Sequence, residues 1–308
     1  MPNPAGGTPA LPVSPSLLIC PHEIVPMKSV PMKSLRAECS KNPPTCAVSQ
    51  AFLHKMNPLP CLTACLIVLS AATSARAAQA DAATPNTLSA SEQAAGWRLL
   101  WDGKTDNGWR SVRAEAFPKS GWTIQDGVLS VAPTKDGAAP NGGDVITREK
   151  FADFELLVDF KITAGANSGI KIYINPSPAK GTDPSLGPEF QILDDAKHPD
   201  AKLGRNGNRT IGSLYDLIPA PADKSVKPVG EWNQARILSQ GRHVEFWLNG
   251  HKTVEFERGS AAWRETVATS KFKNVPAFGE LSEGHILLQD HGNPVSFRNI
   301  KIRVPVAP

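Results

Sequence analysis

The sequence predicts an all-β sandwich. Short runs of alternating apolar and polar residues recur through residues 96–304, separated by Asp-Gly, Asn-Gly and other Gly- or Pro-bearing turns. Almost no stretch carries a helical period. With the front of the chain set aside, roughly 230 residues remain, the size of one all-β domain.

The front reads differently. All five cysteines, Cys20, Cys39, Cys46, Cys61 and Cys65, lie there. The apolar run 61–73 is too short to span a bilayer. It ends in an A-x-A pattern at Ala75 and Ala77. Residues 56–77 are therefore expected to be a signal peptide, and 1–55 a disordered leader or an over-extended start. The apolar run continues past Cys65, which argues against a lipoprotein box. Residues 78–95, rich in Ala, Thr, Ser and Asp, are expected to be a linker, with a helical turn over 91–95. The domain proper is expected over 96–308. The signal peptide implies export, with a periplasmic or extracellular location expected, and the mature part holds no cysteine, so no disulfide is expected there. The net charge of +4 is small and its charges are interleaved. This argues against nucleic acid, or a membrane surface beyond export, as a partner.

The elements follow in order. Residues 96–104 form a strand closed by Asp-Gly. Residues 122–131 read as strand, tight Asp-Gly hairpin and strand. A short strand at 144–148 ends on Arg148. Clean alternation runs over 154–162, and again over 169–174. Residues 189–193 alternate with Phe190 and Ile192 on one face and Glu189 and Gln191 on the other. A long Gly-, Asn- and Pro-rich excursion spans 200–228, a length that is usually functional or disordered. Strands at 232–238 and 243–250 are joined to a return at 252–256 by Asn-Gly. Residues 284–291 and 295–302 complete the set. About ten to twelve short strands with turns between them indicate a sandwich or jelly roll.

Alternation also selects a polar face. Lys171 and Tyr173, Glu189 and Gln191, and Gln289 and His291 stand opposite apolar neighbours on three strands. The apolar neighbours are Ile170 and Ile172, Phe190 and Ile192, and Ile286 and Leu288. Three strands thus present a base, an acid, a cation and amides to one surface, and convergent polar groups in a concavity make a site. Against this stands an ordinary solvated strand end, which is the better reading of any one residue alone. Arg148 could clamp a hydroxyl or make a surface ion pair. Tyr215 and Asp216 could form a lid or anchor a loop. Trp247 could stack on a sugar or fill the core. His198 and His285 read as loop or surface histidines, and Trp97, Trp101, Trp109 and Trp122 as structural.

Several stretches occur together in a recognisable order: Asn167-Ser168-Gly169-Ile170, Glu189-Phe190-Gln191-Ile192-Leu193-Asp194-Asp195, Leu214-Tyr215-Asp216, Gly230-Glu231-Trp232-Asn233, Trp247-Leu248-Asn249-Gly250, Gln289-Asp290-His291-Gly292 and Phe297-Arg298-Asn299-Ile300. With them the chain resembles the 3-keto-disaccharide hydrolase domain family over about residues 96–304. The resemblance implies a concanavalin A-like jelly roll of two curved antiparallel sheets. It also implies action on small carbohydrates whose C3 hydroxyl has been oxidised to a ketone.

That chemistry sets the roles. A C3 ketone acidifies the hydrogen on C2, so a base can remove it while the C1 substituent departs, and water then adds back. The reaction needs a base, an acid for the departing oxygen, and a donor or cation at the enolate oxygen. It does not need the paired carboxylates of ordinary glycosidases. Glu189 and His291 are the expected acid/base pair, in either order. Lys171, Gln191 and Arg148 are expected to hold the enolate or nearby hydroxyls. Tyr173, Tyr215, Asp216, Trp247 and Gln289 complete the expected substrate contacts. A divalent metal on Asp194, Asp290 and His291 is the alternative way to polarise the ketone, although no spacing motif demands one. A non-catalytic carbohydrate-binding module is the rival reading, and the acids, amides and histidines on the predicted face weigh against it. An ordinary glycosidase is weakened by Gln191, which stands where a second carboxylate is usual.

Overall fold

In the computed structural model, residues 84–133, 142–178 and 180–305 are described. The expected leader, the expected signal peptide and the start of the expected linker lie outside them. The strands are β1 (Trp97–Leu99), β2 (Trp109–Ser111), β3 (Trp122–Gln125), β4 (Val128–Val131), β5 (Val145–Thr147), β6 (Phe154–Ile162) and β7 (Asn167–Ile174). They continue with β8 (Glu189–Leu193), β9 (Asn233–Gln240), β10 (His243–Leu248), β11 (His251–Glu257), β12 (His285–Leu288) and β13 (Val295–Arg303). Two helices, α1 (Ala90–Ala94) and α2 (Ala261–Ala268), accompany them.

The strands form the two sheets of a jelly-roll sandwich. The eight-stranded sheet runs β11-β10-β9-β6-β13-β4-β3, with β1 also on β13. The five-stranded sheet runs β2-β5-β12-β7-β8. The two hairpins expected from Asp-Gly and Asn-Gly form at those dipeptides: Asp126 and Gly127 have φ of 52° and 73°, and Asn249 and Gly250 have 50° and 81°. Positive φ at both central residues matches the twist of antiparallel strands.

Alternation then fills the core. Phe190 of the smaller sheet meets Phe246 and Phe160 of the larger at 5.5 and 6.3 Å between ring centroids. All three are fully buried, and each such side chain contributes about 1.5–3 kcal/mol through burial. β7 and β8 are buried at every residue. One side of these two strands faces the core. The other lines a cavity that Tyr215, Lys271 and Phe272 border from outside the sheet, and residues 212–215 of the excursion after β8 hydrogen-bond along the free edge of β8.

Three local expectations change. Residues 84–95 are not a free linker. Asn86 is buried and exchanges hydrogen bonds with Asn299, and its Nδ2 donates to the Gly127 carbonyl. α1 is closed by a capping box of Ser89 and Glu92. A second helix appears where none was expected: Ser260 caps α2, which buries Trp263 and Val267, and Trp263 stacks on Phe256 at 5.1 Å. Two apolar residues four apart on so short a helix leave little periodicity to read. Tyr173 breaks the alternation of β7. Between β12 and β7 the register passes from His285↔Ile174 to Leu287↔Lys171, so β7 carries one extra residue there. Tyr173 takes a left-handed φ of 57° within this bulge.

Candidate active site

The site is built on the outer side of β7, β8 and the end of β12. Lys171 and Glu189 face each other directly across the β7–β8 ladder, and Gly169 faces Gln191 two pairs further on. The Lys171 Nζ lies 3.8 Å from Glu189 Oε2. Both residues are almost wholly buried, at 7% and 5% exposure. An ion pair this dry gains strongly from attraction and loses as strongly to desolvation. For Glu189 desolvation wins. Burial pushes its carboxyl above the ordinary range, against the pull of Lys171, Lys271 and His291, while Asp144 adds to the rise.

Around this pair is a cavity of about 190 Å³. Gln191, Gln289, His291 and Tyr215 line it with Lys171 and Glu189, so the structure brings together six of the side chains expected from sequence. Gln191 donates from Nε2 to Asn167 Oδ1 at 3.2 Å, while its buried Oε1 has no hydrogen-bond partner among the described residues. His291 stands edge-on to His198, with ring centroids 6.0 Å apart. Burial, with His291 close by, lowers the His198 pKa, and its Nδ1 accepts from the Asp200 amide.

The 3-keto-alpha-glucoside-1,2-lyase-like domain model matches residues 96–303, which includes every strand of this site. The chain belongs to that family. A 3-keto-disaccharide hydrolase from Bacteroides thetaiotaomicron is 38% identical over 243 residues, covering 72% of this chain and 83% of that protein. The crystal structure of a provisionally named glycosyl hydrolase from Parabacteroides distasonis is 30% identical. It covers 72% of this chain and all of its own, with a TM-score of 0.63. A second Parabacteroides distasonis structure, named the same way, is 29% identical over 65% of this chain and all of its own, with a TM-score of 0.49.

Other residues expected at the site of this 3-keto-alpha-glucoside-1,2-lyase-like domain lie elsewhere. Tyr173 points into the sandwich, because the bulge reverses its side. Its hydroxyl donates to the Ala152 carbonyl at 2.5 Å and lies 2.6 Å from Ser239 Oγ, and the Arg258 guanidinium covers its ring at 3.5 Å. Arg148 is half exposed and binds Glu115 at the surface. Trp247 stands on the outer face of the other sheet, with Glu245, Arg236 and Lys252 around its indole. His285, expected as a loop or surface histidine, is instead a buried residue of β12 whose ring bonds to the Thr147 carbonyl.

The expected metal ligands do not gather either. Asp194 accepts from the amides of Gly165, Ala196 and Lys197, which fixes the turn after β8. Asp290 accepts from Gly142, Gly143 and Gly292. Carboxylates so occupied are loop fasteners. Among the described residues, the only group of His and carboxylate side chains close enough to share an ion is His243, Glu245 and Glu255. Lys252 already sits against both glutamates of that group.

Asp216 acts behind the cavity rather than in it. Its Oδ1 accepts from Arg209 Nε at 2.7 Å and its Oδ2 from the Lys271 amide at 2.7 Å. Arg209 also donates to Asp200 at 2.8 Å, and Asp200 accepts from the Tyr215 hydroxyl at 2.8 Å. This chain of bonds fixes Tyr215 and brings in Lys271, the main residue that sequence reasoning missed. Lys271 follows α2, in a segment with no period and no motif. Although the residue as a whole is exposed, its Nζ lies 4.0 Å from the Tyr215 ring centroid and the residue lines the cavity. Burial lowers its pKa, and Lys171 and Arg209 lower it further. No local pattern could have revealed it; its signal is tertiary.

Proposed function

We propose that this glycoside-cleaving hydrolase acts on glycosides carrying a ketone at C3, and cleaves them by elimination followed by hydration. One observation carries the reading: a single buried carboxylate, Glu189, is faced by two lysines in one cavity. Of the lining residues only Asp183 offers a second carboxylate, and it is held by the Ser185 amide and Arg113. This lining therefore places no second buried carboxylate beside Glu189 for a paired displacement at C1. An enolate-forming elimination needs only one base and a positive receptor for the oxygen.

In this reading Glu189 removes the C2 proton. The electron pair moves to the C3 oxygen, where Lys171 and Lys271 stabilise the developing charge. As the enolate collapses, the C1–O bond breaks and His291 gives the departing oxygen its proton. Water then adds across the C1–C2 double bond, its oxygen to C1 and a proton to C2, leaving a free 3-keto sugar. The unpartnered Gln191 Oε1 is placed to accept from a sugar hydroxyl. The name of the Bacteroides thetaiotaomicron relative supports the substrate class.

Incubating the mature domain with a 3-keto-glucoside and its unoxidised parent tests the proposal. Cleavage of the ketone alone is expected, with a transient enone absorbance. Cleavage of the parent alone moves the protein to the ordinary glycosidases, and cleavage of neither returns it to carbohydrate binding without catalysis. Export belongs to the same proposal and rests on the Ala75-x-Ala77 pattern. Sequencing the N-terminus of the secreted form is expected to begin just beyond it.

A further inference from the structure

We propose that an apolar groove beside the reaction cavity receives the leaving group, and that it favours an apolar ring over a second sugar. The inference rests on the function proposed above. The groove has a volume of about 190 Å³, and Leu186, Val275, Pro276, Ala277, Phe278 and Leu281 form its apolar lining. Leu186 and Asp183 line both spaces, so the two adjoin. They also share an aromatic wall. Phe272 lines the reaction cavity and Phe278 lines the groove, and the two rings stack at 4.1 Å and 12°. Phe278 stacks in turn on Trp263, whose Nε1 donates to the Phe278 carbonyl. A wall of stacked and hydrogen-bonded rings holds its shape when a ligand enters.

The polar side chains at the rim are few, Asn175, Thr182, Asp183 and Glu280, and three of them already hold protein groups. Asp183 binds the Ser185 amide and Arg113, Asn175 accepts from the Ser177 amide, and Glu280 takes both arms of Arg264. A second sugar entering here would have to strip its hydroxyls of water with few partners in return, which costs more than the contact gains. A hydrocarbon ring pays no such penalty and gains by burial. The groove matches the reaction cavity in volume, so each takes about one ring.

The test uses two substrates whose leaving groups are both primary alcohols, so that leaving-group acidity is matched. One is cyclohexylmethyl 3-keto-glucoside; the other is a 3-keto-disaccharide joined through the 6-hydroxyl of glucose. The cyclohexylmethyl compound is expected to show a KM about tenfold lower or better. Val275→Thr keeps the shape of the side chain and adds a hydroxyl; it is expected to narrow that ratio severalfold. Equal KM values, or a ratio that Val275→Thr leaves unmoved, would overturn the proposal. A titration of cyclohexylmethanol, followed by the methyl resonances of Leu186 and Val275, separates the groove from the reaction. Saturable shifts with neither glycoside cleaved keep the groove and remove the reaction. Cleavage without shifts keeps the reaction and removes the groove.

Discussion

The carboxylate of Glu189 occupies the space that a side chain at Gly169 would fill. A Cβ on Gly169 would lie 2.2 Å from Glu189 Oε1 and 2.8 Å from its carboxyl carbon. The two residues sit on neighbouring strands, two pairs out of register with each other. Gly169 is therefore what lets the buried carboxylate lie flat against β7.

Gly169→Ala should push the carboxylate away from Lys171. The expected loss of kcat is on the order of a hundredfold, the usual cost of a misplaced catalytic group. Comparing kcat with the melting temperature of the same variant checks this. A variant that folds and turns over normally would contradict the placement of Glu189 as the base.

Glu189→Gln removes the base and keeps its shape. Turnover should fall by about 10²–10⁴-fold, while the melting temperature should hold, because the change also removes a buried charge. An unchanged rate would strike Glu189 from the mechanism.

The pH profile follows from the raised Glu189 pKa. The base must be ionised, so activity should rise with pH through an apparent value above the ordinary 4.5 of a glutamic acid. Lys171 pulls that value down. Lys171→Met should therefore shift the acid limb of kcat/KM to higher pH. For stability the sign is opposite: a carboxyl whose folded pKa is raised favours the protonated native state. Its contribution is lost as pH climbs from the unfolded to the folded value. Glu189→Gln should flatten that loss in denaturant titrations across the same window.

Arg209 bridges Asp200 and Asp216, so Arg209→Met strands two largely buried carboxylates. The expected cost is about 3 kcal/mol in denaturant unfolding. KM should rise as well, because Tyr215 and Lys271 hang from those two aspartates. A stability loss with no change in KM would separate the network from the cavity.

Trp247→Ala offers the contrast. Its indole lies on the outer face of the other sheet, between Arg236 and Lys252. Losing it should lower stability and leave KM for the 3-keto glycoside within about twofold, as for other side chains away from a site. A large rise in KM would put substrate on that sheet.

Much of this site could be read from sequence because period-2 alternation is a local rule. Lys171, Glu189 and Gln191 were legible as outward residues, since Ile170, Ile172, Phe190 and Ile192 had to turn inward. Gln289 and His291 followed from Ile286 and Leu288 in the same way. The rule failed where the strand itself was irregular. Nothing between Lys171 and Tyr173 announces an extra residue, because the bulge is fixed by pairing with β12. It also failed where a role depends on what a side chain already holds. Asp194 and Asp290 have the chemistry of metal ligands, and only the fold shows them bound to backbone amides. Lys271 lay beyond any local rule: it reaches the cavity through Asp216, fifty-five positions away in the chain.

The bulge in β7 lets two positions that an unbroken ribbon would have made twins serve separate trades. Lys171 is a reagent and Tyr173 is a rivet, joining the two halves of the sandwich through Ser239. Straightening the bulge while Ile172 stays between them would send the phenol into the chamber and leave the rivet hole empty. Relatives that keep the reagent but differ in spacing here are therefore expected to carry a different fastening between their sheets.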